Sequence, residues 1–173
     1  DLVESLSDFF RTSLSRGDGL VTLREEERHM RSYLQIQHVR YCDILEYEIN
    51  IPERLKETIL PKITLQPIIE NALYHGIKNR RGMGRIVVKA YEENGDVVIL
   101  VSDNGIGITD ERLDEIKAML DKTNENRRLH NDSYGLFNVN ERIKLKFGDR
   151  FGISITSKLH EGTCVKIRVP LIK

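Results

Sequence analysis

The chain has 173 residues, 39% of them hydrophobic, enough for one domain with a good core and a short appendage. Lys and Arg together number 27 and so do Asp and Glu, so no net charge drives binding to nucleic acid or to an anionic membrane surface. The two cysteines, Cys42 and Cys164, show neither metal-ligand spacing nor a paired framework, which suits a reducing cytosol and predicts buried, inert thiols.

From Leu2 to Leu14 the apolar residues Leu2, Leu6, Phe9, Phe10 and Leu14 keep the spacing of one helical face, which Gly17 and Gly19 then interrupt. A second helix is expected from Leu23. Thr22 with Glu25 three residues later is a capping-box signature, and Leu23, Met30, Tyr33, Leu34 and Gln37 continue one stripe. Two short helices with exposed apolar stripes predict packing on another subunit or on a missing partner helix, with packing on the downstream domain as the alternative. Asp1 in place of an initiator Met, in a segment already helical, predicts an excised piece of a longer protein. Any membrane anchor would lie in the absent part, because the longest apolar run, Val97 to Val101, is far short of the roughly 20 residues needed to cross a bilayer.

After Cys42 the period changes to two. Leu45, Tyr47, Ile49 and Ile51 alternate with polar residues, predicting a strand that Pro52 closes. Further strands are expected at Ile86–Tyr91, Val97–Asp103, Gly152–Lys158 and Cys164–Val169, with the continuously apolar Val97–Val101 in the sheet interior. Asn94-Gly95 signals a hairpin. Helices are expected over Pro61–Lys78, Asp110–Asp121 and Leu136–Lys146, and residues 122–133, KTNENRRLHNDS, read as a mobile loop. The predicted fold is α/β: a two-layer sandwich of a mixed, largely antiparallel sheet covered by helices on one face, with an N-terminal helical stub. The predicted division is a helical dimerisation or linker segment over 1–42 and an α/β domain over 43–173.

On the helix from Pro61, Asn71, His75 and Lys78 recur at i, i+4 and i+7, aligning an amide, an imidazole and an ammonium on one edge. Such a row can hold Mg²⁺ and phosphates, and it is also the pattern of a solvated face. Asp103-Asn104-Gly105-Ile106-Gly107-Ile108 places a carboxylate at the end of a buried strand, followed by two glycines that let backbone approach a ligand. A carboxylate there can accept a hydrogen bond from the exocyclic amine of adenine and oppose the carbonyl of guanine. Gly135 precedes a helix start, where free N–H groups can meet an anion, and Gly162-Thr163 sits in the turn before the last strand.

Through LQPIIENALYHGI, DNGIGI, YGLFNVNERI and EGTCVKIRVP the sequence resembles the ATPase superfamily shared by histidine kinases, DNA gyrase and the large heat-shock chaperone. With the leader VTLREEERHMRSYLQIQHVRY it is similar, over nearly its whole length, to sensor kinases of the autolysis-regulator type. The resemblance implies ATP and Mg²⁺ as cofactors. It implies that Asn71 ligates the metal with Glu70 beside it, that His75 lies near the phosphates, and that Asp103 reads adenine with Gly105, Gly107 and Thr163. It further implies that residues 122–133 form the ATP lid and that Gly135, Leu136 and Asn138 lie behind it, with Arg142 at a family position of structural character.

Tyr74 stands where the family commonly has Lys, leaving more of the phosphate contact to His75 and Lys78, and Ser133 replaces the usual first glycine of the second glycine box. The Pro-His-Phe acceptor motif is absent from these residues, and His29, His38, His130 and His160 lie in other contexts. The resemblance therefore implies the ATP-binding part of a two-component sensor histidine kinase, donating a phosphate to a histidine on a missing acceptor helix and onward to a response regulator receiver domain. It also implies a homodimer in the intact kinase, and a cytoplasmic position beneath a bacterial membrane-anchored sensor. The alternatives are an ATP-hydrolysing conformational machine of the gyrase or chaperone type and a non-catalytic nucleotide-binding module.

Overall fold

In the computed structural model, which describes Ser7 and residues 19–121 and 134–172, Thr22 and Glu25 form the capping box their spacing predicts. The predicted helix over Leu2–Leu14 and the loop over 122–133 lie outside the described residues, Ser7 apart. Strand β1 (Leu20–Thr22) runs into helix α1 (Leu23–Arg40), strand β2 (Leu45–Asn50) follows, and β3 (Ile59–Pro61) pairs antiparallel with β1. Helix α2 (Gln66–Asn71) continues into a wider π-helical turn over Ala72–Ile77, in which the Lys78 N–H reaches back five residues to the Leu73 carbonyl at 2.9 Å. Then come β4 (Gly84–Glu93), β5 (Asp96–Asp103), α3 (Asp110–Asp121), α4 (Tyr134–Phe147), β6 (Gly152–Lys158) and β7 (Gly162–Pro170).

The main sheet has the order β2-β4-β5-β7-β6, parallel only between β2 and β4, so the mixed, largely antiparallel sheet expected from the sequence is borne out. Asn94 (φ 56) and Gly95 (φ 79) both occupy the left-handed region, as a two-residue hairpin turn between twisted strands requires. On one face Val88 and Ala90 of β4, Ile99 and Val101 of β5, and Val165 and Ile167 of β7 meet in register and join the core with residues of α2, α3 and α4. Replacing Ile99, which is fully buried at mid-strand, by Ala is expected to cost about 2–5 kcal/mol, read as a fall in the urea midpoint at unchanged slope.

Three expectations are corrected. The second predicted helix does not keep its stripe for a partner: Leu23, Met30, Tyr33 and Leu34 lie in the same core as the sheet, and the Leu23 N–H donates to the Thr58 carbonyl at 2.8 Å. The helix predicted from Pro61 starts at Gln66, because Pro61 ends β3 and it is Pro67 that occupies the first helical turn, where a missing N–H costs nothing. Of the two thiols expected to be buried, Cys42 is exposed beyond α1, while Cys164 is half-buried and accepts from the Ser102 hydroxyl at 3.2 Å.

Candidate nucleotide site

The period of β5 delivers a charge to the core. Side chains alternate faces along a strand, so the set Val97, Ile99 and Val101 is continued on the helix-covered side by Asp103 at the strand's end. Across the sheet, Asp103 stands opposite Thr163 of β7, and Thr163 opposite Ser157 of β6. Asp103 and Thr163 edge a cavity of about 340 Å³, a volume suited to a small-molecule ligand. Val101, Ile116, Leu136, Ile155 and Val165 line it with apolar surface, Asn71, His75, Gly76 and Asn79 line it from the α2 side, and Ile106, Gly107, Ile108 and Thr109 from the loop after β5.

Asp103 Oδ1 accepts the Gly105 N–H at 2.8 Å, and the carboxylate also accepts the Thr163 N–H. Burial pushes the carboxyl up to about 6 even though both bonds favour its ionised form. A Cβ at Gly76 would lie 2.7 Å from Oδ1, and one at Gly105 would lie 2.4 Å from the Gly76 backbone, so helix and loop approach at two positions that admit no side chain. Gly107 (φ 69) is equally constrained, since a Cβ there would lie 2.0 Å from the Lys158 carbonyl oxygen.

The hydroxyls have a definite direction. Ser157 Oγ donates its single proton to the Gly162 carbonyl at 2.8 Å and accepts from the Ile108 N–H at 3.0 Å. The Thr163 hydroxyl, 2.8 Å from Ser157 Oγ, must then donate to it and keeps lone pairs for the cavity. Asp103 and Thr163 thus present neighbouring acceptors, a pairing that favours an amine and opposes a carbonyl.

Of the residues singled out by sequence, Asn71, His75, Asp103, Gly107, Leu136 and Thr163 meet around this one cavity. Gly105 stands behind it as the donor to Asp103. Gly135, where a Cβ would come within 3.3 Å of Pro67 Cβ, and the exposed Asn138 do not line it. Glu70 does not line it either: its Oε1 accepts from Gln66 Nε2 at 2.8 Å, and the Gln66 oxygen accepts from His29 of α1 at 2.6 Å. Lys78 departs furthest from its predicted place. Its ammonium stands 4.6 Å from the Tyr74 ring centre and 5.0 Å from that of Tyr41, because the π-helical turn widens the spacing and breaks the i, i+7 alignment.

Asn79 takes the edge position instead, donating from Nδ2 to the carbonyls of Tyr74 and His75 at 3.1 and 3.2 Å. The sequence reading missed Gly76, Asn79, Thr109 and Arg112. An i, i+4, i+8 count from Asn71 through His75 reaches Asn79, whereas nothing local marks Arg112. His38, whose Nδ1 donates to the Leu45 carbonyl at 2.8 Å, and His160, exposed in the β6–β7 turn, lie outside the cavity lining, and His130 lies outside the described residues.

Residues 61–173 match the family described as histidine kinase-, DNA gyrase B- and HSP90-like ATPase, and residues 1–45 match a histidine kinase family. The chain is 34% identical over 169 residues to the sensor histidine kinase BtsS of Escherichia coli (strain K12), covering 98% of this chain and 27% of that protein. It is 34% identical over 169 residues to the sensor histidine kinase YesM of Bacillus subtilis (strain 168), with the same coverage of 98% and 27%. To the sensor protein LytS of Bacillus cereus (strain ATCC 14579) it is 32% identical over 170 residues, 98% of this chain and 28% of that protein. The chain therefore spans about a quarter of the length of the curated relatives it matches. Among solved structures, the histidine kinase domain of the Erythrobacter litoralis EL346 blue-light activated histidine kinase shares its fold at TM-score 0.59 and 17% identity, over 98% of this chain and 73% of that one. The mycobacterial sensor histidine kinase MprB shares it at TM-score 0.57 and 19% identity, over 87% and 95%. The curated relatives it resembles are sensor histidine kinases, and by the match over residues 61–173 the chain belongs to the histidine kinase-, DNA gyrase B- and HSP90-like ATPase family.

Proposed function

We propose that this chain is the ATP-binding catalytic part of a two-component sensor histidine kinase and that it presents the γ-phosphate to a histidine on a separate acceptor helix. The carrying observation is the Asp103 carboxyl held at the edge of an apolar cavity beside the amide and imidazole of Asn71 and His75. Asp103 accepts a hydrogen bond from the adenine amine, Thr163 offers a second acceptor, and the apolar lining excludes water from the ring. Asn71 would offer a neutral amide oxygen to Mg²⁺, His75 would meet the phosphates, and Leu136, with Gly135 and Asn138 on the same helix, would serve the phosphate side as the second glycine box. When bound, ATP·Mg²⁺ supplies the phosphoryl group and neutralises its charge, so the protein's contribution is positioning and electrostatics.

A gyrase- or chaperone-like hydrolytic reading would need a base one helical turn before Asn71, and Pro67 occupies that position. Glu70 is tied to Gln66 on another side of the helix. In the intact protein, residues 1–42 link the catalytic domain to the acceptor helix of a homodimer, the phosphate passes to a response regulator receiver domain, and the anchor lies in a membrane. No helix of the described residues is long and apolar enough to cross one.

Incubating the chain with γ-labelled ATP and a separately made acceptor-helix segment is expected to label that segment's histidine. Release of free phosphate with no labelled histidine would favour the hydrolytic reading. Asn71→Ala is expected to remove the Mg²⁺-dependent part of ATP affinity, at least about tenfold or 1.4 kcal/mol. Equal affinities with and without metal in the wild type would remove Asn71 as a ligand.

A further inference from the structure

The side chain of Glu26 projects from α1 into the protein and is 3% exposed. Its Oε1 accepts the Ile63 N–H at 2.6 Å, and its Oε2 accepts those of Thr64 and Leu65 at 3.0 and 2.9 Å. These three residues form the turn between β3 and α2. The carbonyls of the same turn are held from another direction: Arg142 of α4 donates from Nη1 to Lys62 at 2.6 Å and from Nη2 to Ile63 at 2.8 Å. Ile63 has φ 58, a left-handed conformation that a β-branched residue adopts only when its surroundings impose it. Burial raises the Glu26 carboxyl above its usual range, and the three N–H bonds and His29 oppose that rise. A carboxylate on a leader helix, spent entirely on backbone donors 37 to 39 residues away, is a costly way to make an ordinary turn.

The consequence lies roughly one and a half to three helical turns further on. Helix α2 starts at Gln66, immediately after the gripped turn, and carries Asn71 and His75. A second tether from α1, His29 to Gln66 to Glu70, ends beside Asn71. Asp103, by contrast, is held by β5 and β7 of the sheet. The adenine end thus rests on the sheet and meets the helix at Gly76, 11 residues beyond Leu65, whereas Asn71 and His75 ride on the helix between that contact and the gripped turn.

We propose that Glu26 is a positioning residue for the nucleotide site: it sets the start of α2, and with it the amide of Asn71 and the imidazole of His75, while the adenine end is left to the sheet. The inference rests on the nucleotide reading above. It makes the leader helix a structural part of the phosphate end of the site, so that a shift of α1 is felt by Asn71 and His75 before it is felt by Asp103.

The test compares ATP·Mg²⁺ with adenosine, which lacks the phosphate end. Glu26→Gln keeps the shape but sets an NH₂ group against backbone donors. It is expected to lower ATP·Mg²⁺ affinity about 5- to 20-fold, at a temperature where the protein is folded, while adenosine affinity stays within about twofold. In the wild type, because coupling is reciprocal, the amide resonances of Ile63, Thr64 and Leu65 should shift on adding ATP·Mg²⁺ and stay in place on adding adenosine. Equal losses for both ligands, an unchanged variant, or silent amides in the wild type each overturn the proposal, the last even if the variant fails to fold. A wild type that binds neither ligand removes the nucleotide reading itself, whereas a metal-dependent wild type with an unaffected variant removes only the role of Glu26.

Discussion

Asp103→Asn is expected to lower adenine nucleotide affinity roughly 10- to 150-fold with the fold intact, the loss of a hydrogen bond to a charged acceptor worth about 1.5–3 kcal/mol. Asp103 has one oxygen committed to the Gly105 N–H at 2.8 Å and a further bond from the Thr163 N–H, and the charge that remains faces the cavity. An Asn can accept from Gly105, but it carries no charge and brings an NH₂ group among donors that need an acceptor. Calorimetry with unchanged affinity would remove Asp103 from adenine recognition.

The same carboxyl predicts the pH dependence. Burial pushes it up to about 6, above the ordinary 3.8, so folding favours the neutral form relative to the unfolded chain. The stability it contributes is fully present below the unfolded value and is lost as pH rises through 6, on the order of 3 kcal/mol in all. Ligand binding runs the other way, because an amine donor needs the ionised carboxylate. Adenosine affinity is therefore expected to fall about tenfold per pH unit below 6 in the wild type and to stay flat in Asp103→Asn. The same fall in both proteins would assign the titration to another group.

Gly105→Ala is expected to separate α2 from the loop after β5, destabilising the protein by about 1–3 kcal/mol and abolishing nucleotide binding. The new Cβ would lie 2.4 Å from the Cα and C of Gly76 and 2.6 Å from Asp103 Oδ1. Two of those atoms are backbone, so relief requires the helix or the loop to move. That movement also loosens the Ile106 N–H bond to the Gly76 carbonyl, now 3.3 Å. Gly148→Ala is the matched control: with φ 98 and nothing within 4 Å of its Cβ, it bears only the conformational cost of a positive φ. Denaturant midpoints and ATP titrations on both variants measure the difference. A Gly105→Ala protein that binds ATP normally would mean that helix and loop are not in contact in the working state.

The strands and the adenine end of the site were legible because they depend on local patterns. The continuously apolar run Val97–Val101 marks the interior strand with Asp103 at its end, and Thr22 with Glu25 marks a helix start within one turn. The i, i+4, i+7 row failed at its last member for an equally physical reason. The π-helical turn over Ala72–Ile77, closed by the Lys78 N–H bond back to Leu73, widens the spacing, sending the lysine to Tyr41 and Tyr74 and bringing Asn79 to the cavity.

Glu26 and the α1 stripe were illegible for another reason. On a helix, a run of glutamates reads as a solvated face, and an apolar stripe does not name what covers it. By itself the sequence determined the five strands of the main sheet, the Asn94-Gly95 turn and the family motifs, since each is written in residues no more than a few positions apart. Only the tertiary structure decided that the leader helix belongs to the core and that its carboxylate holds the start of the Asn71 helix. Those bonds join residues nearly forty positions apart, and their strength comes from burial that no local pattern encodes.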